Sequence, residues 1–267
     1  RVKRLSGDAE ILAWYARLQK YHKGDLTAKE LGLPPAEWTT FENDVDAKGK
    51  PIRRRVDRVV ATREVSLLKT ETDARRLDLP QLQGGDPRPF EVVGIPLGEP
   101  GYHVVEIESL RLGQSLLDKR APMYVRTGVL VTNLGVHAKI GAENSAVWVT
   151  TLDRGRPVAG ADVTINDCNG RPLWSGRTDA QGLARAARRF DDRPQNCVAD
   201  SGLFVTARHA DERGAVDVAF VFSDWTKGIE PWRFNVPTGG GWGSAGPAMR
   251  AATVFDRTLL RAGETVS

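Results

Sequence analysis

The stretch that decides the fold runs from Ser145 to Ala186: SAVWVTTLDRGRPVAGADVTINDCNGRPLWSGRTDAQGLARA. Apolar residues alternate with polar ones in short runs, and each run ends in turn formers. SAVWVTTLD closes on RGRPVAG, which carries Pro157. ADVTIND closes on CNGR, and PLWSGR leads to a tight turn built by Asp179 and Gly182 that feeds Leu183. A period of two punctuated by Gly, Pro, Asn and Asp predicts a meander of antiparallel strands. Val158, Val163, Ile165, Leu173 and Leu183 then point into one core. This pattern specifies an architecture and no chemistry.

The same rhythm extends outward. RVDRVVATREVSLLKT, PFEVVGIPL, YHVVEIESL and PMYVRTGVLVTNLGVHAKIG precede the stretch, and GLFVTARHA, VDVAFVFSD and PWRFNVPT follow it. Many short strands without intervening helices argue for sandwiches and against βαβ units. DAEILAWYARLQKY differs: Ile11, Leu12, Tyr15 and Leu18 share one helical face, with Asp8 expected as N-cap and Gly24 as the stop. The predicted fold class is mainly β, with two tandem immunoglobulin/fibronectin-III-like antiparallel β-sandwiches and a short N-terminal helix. The expected layout is a helical or irregular segment over 1–50, a first sandwich over 51–140 and a second over 141–250. Residues 251–267 would be the first strand of a following domain. The glycine-dense TGGGWGSAGPAM (Thr238 to Met249) reads as a linker or loop tip.

The 267 residues carry 38 Lys+Arg against 34 Asp+Glu, a net charge of only +4. That surplus is too small and too dispersed for a nucleic-acid partner. RRRVDR (Arg53 to Arg58) is the one dense cationic cluster and is read as solvated charge that discourages edge pairing. No run approaches the ~20 apolar residues of a membrane-spanning helix. The two cysteines, Cys168 and Cys197, lie ~30 residues apart beside turn formers, a spacing that suits a disulfide clamping one loop region. Two free buried thiols are the alternative. Two Cys with no nearby His do not make a zinc site.

Nothing in the sequence assembles catalytic, cofactor-binding or metal-ligating residues. His22, His103, His137 and His209 are scattered, and no G-x-S-x-G elbow or Walker loop occurs. Glu106 and Glu108 share a strand face, and such pairs are ordinarily solvated. Trp148 and Trp174 are expected in a sandwich core. Trp225 and Trp232 flank the polar turn TKGIEP and are the candidates for inter-domain contact. The chain therefore reads as no enzyme and needs no cofactor.

Four phrases together resemble the bacterial alpha-2-macroglobulin family: PFEVVGIPLGEPGYHVVEIES, LVTNLGVHAKIGAENSAVWVTTLDRGRPVAGADV, DWTKGIEPWRFNVPT and TVFDRTLLRAGETVS. The resemblance covers the chain from about Arg63 to Ser267. It implies macroglobulin domains, each a small fibronectin-like sandwich, within a larger periplasmic, often lipid-anchored protein that traps proteases. On this reading the chain is an excised scaffold segment. Its partners would be other macroglobulin domains of the parent, indirectly the trapped proteases, and a penicillin-binding protein of peptidoglycan synthesis. The family's thioester has no counterpart here, since Cys168 precedes Asn169-Gly170-Arg171 and Cys197 precedes Val198-Ala199-Asp200. An oxidising periplasm favours the Cys168–Cys197 disulfide. The rival reading is an extracytoplasmic adhesion or glycan-binding module, which exposed tryptophans would favour and buried Trp148 and Trp174 would disfavour.

Overall fold

A computed structural model describes residues 1–79, 92–117, 119–141, 143–190, 197–198, 202–210, 214–225 and 263. Residues 1–224 form one compact unit. A second unit spans 225–267, and only Trp225 and Gly263 are described within it. Trp232, the strand PWRFNVPT, the glycine-rich stretch and nearly all of 251–267 therefore lie outside the described residues.

The first half runs β1 (Val2–Leu5), α1 (Asp8–Tyr21), β2 (Asp25–Thr27), β3 (Thr39–Val45), β4 (Pro51–Asp57), β5 (Val59–Ala61), β6 (Gly101–Ser109), α2 (Leu110–Leu116) and β7 (Met123–Val131). The second runs β8 (Leu134–Ile140), β9 (Ser145–Thr151), β10 (Asp162–Asn166), β11 (Pro172–Arg177), β12 (Leu183–Ala186), β13 (Phe204–Ala210) and β14 (Val216–Phe222). Every pairing among the described strands is antiparallel.

The second half is a two-sheet sandwich. One sheet has the order β12-β9-β8 and the other β11-β10-β13-β14. Alternation along the strands decides what lies between them. Val147 and Val149 of β9, Val163 and Ile165 of β10, Ala184 and Ala186 of β12, and Val205 and Ala207 of β13 fill the core, each at most 2% exposed. The fourth strand of this sandwich, β11, joins the sheet of the third, sixth and seventh strands. That is a different assignment from the constant-type immunoglobulin arrangement, which keeps its fourth strand with the first two. β8 pairs with β9 from Leu134–Thr151 to Ile140–Ser145, so β8 belongs to this sandwich although it precedes the expected break at residue 140.

The first half spreads its strands over three small sheets, β1-β6-β7, β2-β5 and β3-β4. The break expected after residue 50 falls inside the β3–β4 hairpin, and β1 pairs with β6 across about 100 residues of chain. α1 forms where the apolar spacing requires it, burying Ile11, Leu12, Trp14, Leu18 and Tyr21. Its apolar face meets two sheets at once. Leu5, Tyr102 and Val104 approach from β1 and β6, while Phe204, Val218, Phe220 and Phe222 approach from β13 and β14. The four-stranded sheet is thus covered on both faces, by β8, β9 and β12 on one side and by α1 on the other.

Candidate functional site: the joint between the N-terminal helix and the sandwich

The outer face of β13 and β14 is unusually aromatic for a sandwich. Phe204, Phe220 and Phe222 sit with ring centroids 5.1–6.0 Å apart, and Tyr15 of α1 stacks at 4.9 Å from Phe222. Register explains the cluster: Phe204 pairs with Phe222, and Thr206 with Phe220, so these side chains share one face. Left uncovered, it would be an exposed apolar patch of the kind that drives association; α1 covers it.

One acidic residue locks the helix onto this face. Asp8 was expected to cap α1, but Gly7 occupies the N-cap position without a side-chain bond. The Asp8 carboxylate accepts instead from Arg208 Nη2 at 2.5 Å, Thr206 Oγ1 at 2.9 Å and Asn166 Nδ2 at 3.2 Å. It still sits in the first helical turn, where the helix dipole favours a negative charge. Thr206 and Asn166 are 0–1% exposed. The carboxylate is therefore engaged by three donors from β10 and β13, and the cap that spacing predicts was outcompeted by a longer-range site. Arg208 Nη2 also donates to Ser6 O at 2.5 Å. An open groove of about 610 Å³ runs beside this clasp, lined by Arg4, Ser6, Gly7, Asp8, Arg208 and Val218 among others.

Cys168 and Cys197 are joined in a disulfide, with Cα atoms 5.2 Å apart. The bond pins the β10–β11 turn, where Asp167 Oδ1 accepts from Asn169 N and Arg171 N, both at 2.9 Å. Asn169 Oδ1 in turn accepts from Val198 N at 2.9 Å. Gly170 at the turn's tip has φ +79°, and a Cβ there would lie 3.4 Å from the Ala9 Cα. The disulfide thus stiffens a turn that rests against the first turn of α1.

A second polar node holds the other side of the helix. Glu106 was expected to be solvated beside Glu108; it is 1% exposed. Its carboxylate accepts from Leu67 N at 2.6 Å, Leu68 N at 3.3 Å and Ser66 Oγ, with Arg126 Nε 3.7 Å away. Arg126 donates to Thr62 O and Val65 O and lies over the Tyr21 ring. Burial pulls the Arg126 guanidinium below its ordinary pKa, while Glu106 opposes that shift. Leu67 and Leu68, which this node positions, are fully buried against α1.

The tryptophans divide. Trp174 packs partly buried on the sandwich core, where a Cβ at Gly176 would collide with its ring. Trp148 contradicts the expected core position, being 41% exposed on the outer face of β9, 5.5 Å from the His137 ring. In the run Val147-Trp148-Val149 the period of two sends either the valines or the indole inward, and the valines won. Trp225 is 48% exposed. The histidines do not converge: His22 follows α1, buried His103 has Nε2 2.8 Å from Glu99 O, and His137 and His209 lie on β8 and β13. No cluster of three or more potential metal ligands occurs among the described residues. No described helix is long and apolar enough to cross a membrane.

These features define a class: a fibronectin-like sandwich, closed by a disulfide-supported turn and braced by a helix across its second sheet. Residues 131–240 match the family described as Bacterial alpha-2-macroglobulin MG3 domain, so this part of the chain is similar to a macroglobulin domain of the bacterial alpha-2-macroglobulin family. Two solved structures are similar at low identity. Native alpha-2-macroglobulin from Escherichia coli spanning domains NIE-MG1 is 19% identical, with 46% of this chain and 50% of that one covered at a TM-score of 0.32. The same protein spanning MG0-NIE-MG1 is 15% identical, with 82% and 52% covered at 0.38. The chain spans about half the length of each, and at those scores neither likeness bears on the fold. No curated protein matches.

Proposed function

We propose that this chain is a structural scaffold segment of a bacterial alpha-2-macroglobulin-like, broad-spectrum endopeptidase inhibitor that traps proteases in the periplasm. The observation that carries the reading is the macroglobulin-domain match over residues 131–240. The geometry supports it: a sandwich braced on both faces of one sheet is a stiff wall element, and steric enclosure asks rigidity of a wall, not catalytic groups. In this role the segment has no enzymatic activity. It packs against other macroglobulin domains of the parent, with Trp225 and Trp232 as contact residues, and reaches the membrane through a lipid anchor elsewhere in that parent. A penicillin-binding protein is the proposed partner outside the chain.

The test compares the isolated chain with the longer protein that contains it. The isolated chain is expected to leave casein hydrolysis by trypsin-like and elastase-like proteases unchanged. The longer protein is expected to protect casein while small chromogenic peptides are still cleaved. Inhibition by the isolated chain, or equal protection of both substrates by the parent, would overturn the proposal. One observation favours the rival glycan-binding reading: the exposed Trp148 beside His137. Quenching of Trp148 emission by soluble glycans, absent in Trp148→Phe, would support that reading.

A further inference from the structure

The β3–β4 ribbon has a property that neither the sandwich nor the clasp explains. Its strands pair with each other and with no other described strand. It is open on both faces, with Phe41 57%, Val45 61% and Ile52 41% exposed. A lone two-stranded ribbon is marginal in water, and its free edges are templates for another strand.

Hydrogen-bond parity fixes what the β4 edge offers. Arg58 N donates to Trp38 O at 2.7 Å, and Asp46 N donates to Lys50 O at 2.9 Å at the other end. Bonded and non-bonded pairs alternate in antiparallel ladders. Thr40–Val56, Glu42–Arg54 and Asp44–Ile52 are therefore the bonded pairs, and the N–H and C=O groups of Arg53 and Arg55 turn outward along the free edge.

The side chains follow the same parity. Arg53 and Arg55 share a face with Phe41, Asn43, Val45 and Asp57, while Ile52, Arg54 and Val56 occupy the other. Arg53 stacks 5.0 Å over the Phe41 ring, and Arg55 Nε donates to Thr39 Oγ1 at 2.8 Å. Arg54 on the opposite face has a carboxylate partner, Asp44 at 3.3 Å. Arg53 and Arg55 form no salt bridge with a carboxylate among the described residues. The edge thus presents outward backbone groups, two guanidinium groups without an ion-pair partner among the described residues on one face, and apolar Ile52 and Val56 on the other.

We propose that the β4 edge binds an extended acidic segment of a partner protein by strand addition. The segment's backbone pairs with that of Arg53 and Arg55. Its carboxylates, at every second residue, meet the two guanidinium groups, and its intervening apolar side chains lie beside Ile52 and Val56. Charge complementarity selects this occupant. A second copy of the chain pairing antiparallel about Arg54 would set Arg53 of one copy against Arg55 of the other, which repel. A membrane surface would require Phe41 and Ile52 on one side of the ribbon, and the register places them on opposite faces. The Asp46 carboxylate, accepting from Lys48 N and Lys50 N, also sits at the tip that would enter the lipid.

The test uses the whole chain and a dye-labelled peptide of alternating Glu and Val, read by fluorescence anisotropy at low salt. Saturable binding is expected. It should weaken about tenfold for Arg53→Glu/Arg55→Glu, a variant that prefers the Lys/Val peptide instead. Methylating the peptide's β4-facing amide nitrogens should abolish binding while leaving its charge intact. If the double variant loses its far-ultraviolet dichroism, the methylation comparison on the unaltered chain decides alone. Undiminished binding of the methylated peptide would show mere charge attraction and overturn the proposal. Absence of peptide binding overturns it too, as does binding only to phosphatidylserine vesicles or concentration-dependent self-association through this edge.

Discussion

Glu106 shows how much a single buried carboxylate organises. Two backbone N–H groups, a hydroxyl and a neighbouring guanidinium converge on it, and the loop they define carries Leu67 and Leu68 into the first core. Breaking a buried pair by removing one partner leaves the other charge uncompensated. Glu106→Ala is therefore expected to cost about 3–5 kcal/mol, seen as a large fall in the urea midpoint, and Glu106→Gln distinctly less. Nearby on the same strand, burial pushes the Tyr102 phenol up to about 12. An unfolded tyrosine ionises near 10, so between those values the folded chain keeps a proton that the unfolded chain has lost. This group's contribution is complete below pH 10 and is lost as the pH rises through 12, ~3 kcal/mol in all. Urea midpoints from pH 9 to 12 should fall less steeply in Tyr102→Phe than in the parent chain. Neither environment was legible in sequence. The alternation in YHVVEIES puts Tyr102, Val104 and Glu106 on one face, yet whether that face meets water depends on the loop at 62–68.

At the scale of elements, strands and turns were readable because their signals are local. The turns at Gly160, Gly170 and Gly182 all take positive φ, as the Gly-bearing punctuation required. The α1 periodicity likewise identified its buried residues Ile11, Leu12 and Leu18. What local pattern missed is which way an ambiguous alternation points, as at Trp148, and which distant partner claims a polar side chain, as at Asp8. The disulfide closes a separation of 29 residues, linking the β10–β11 turn to the segment before β13. In the chain-entropy account such a loop contributes about 3–4 kcal/mol by restricting the unfolded state. Reduction, or Cys168→Ser/Cys197→Ser, should lower the thermal midpoint accordingly. Because the pinned turn rests on Ala9, amide exchange should rise first in the opening turn of α1.

For the molecule as a whole, the layout read from sequence separates an N-terminal segment, a first sandwich and a second. The structure instead joins the first residues to the last described strands. Asp8 bonds Arg208 some 200 residues away, and α1 shares one core with Phe204, Phe220 and Phe222. Such couplings leave no trace in local period or composition, because each partner taken alone resembles an ordinary solvated charge or strand residue. Their consequence is cooperativity: residues 1–224 should unfold in one step. Far-ultraviolet dichroism, reporting sheets, and tryptophan fluorescence, reporting Trp14 beside the helix core as well as the sandwich, should then give coincident urea transitions. Asp8→Ala removes the acceptor from three donors, two of them on buried residues, at an expected cost of about 2–4 kcal/mol. A double-mutant cycle with Arg208→Ala should show a coupling of about 1–3 kcal/mol. With the clasp gone, the two probes should separate, fluorescence changing first as α1 lifts away and uncovers the phenylalanine face. Two resolved transitions in the unaltered chain, or a cycle with no coupling, would mean that helix and sandwich are merely neighbours.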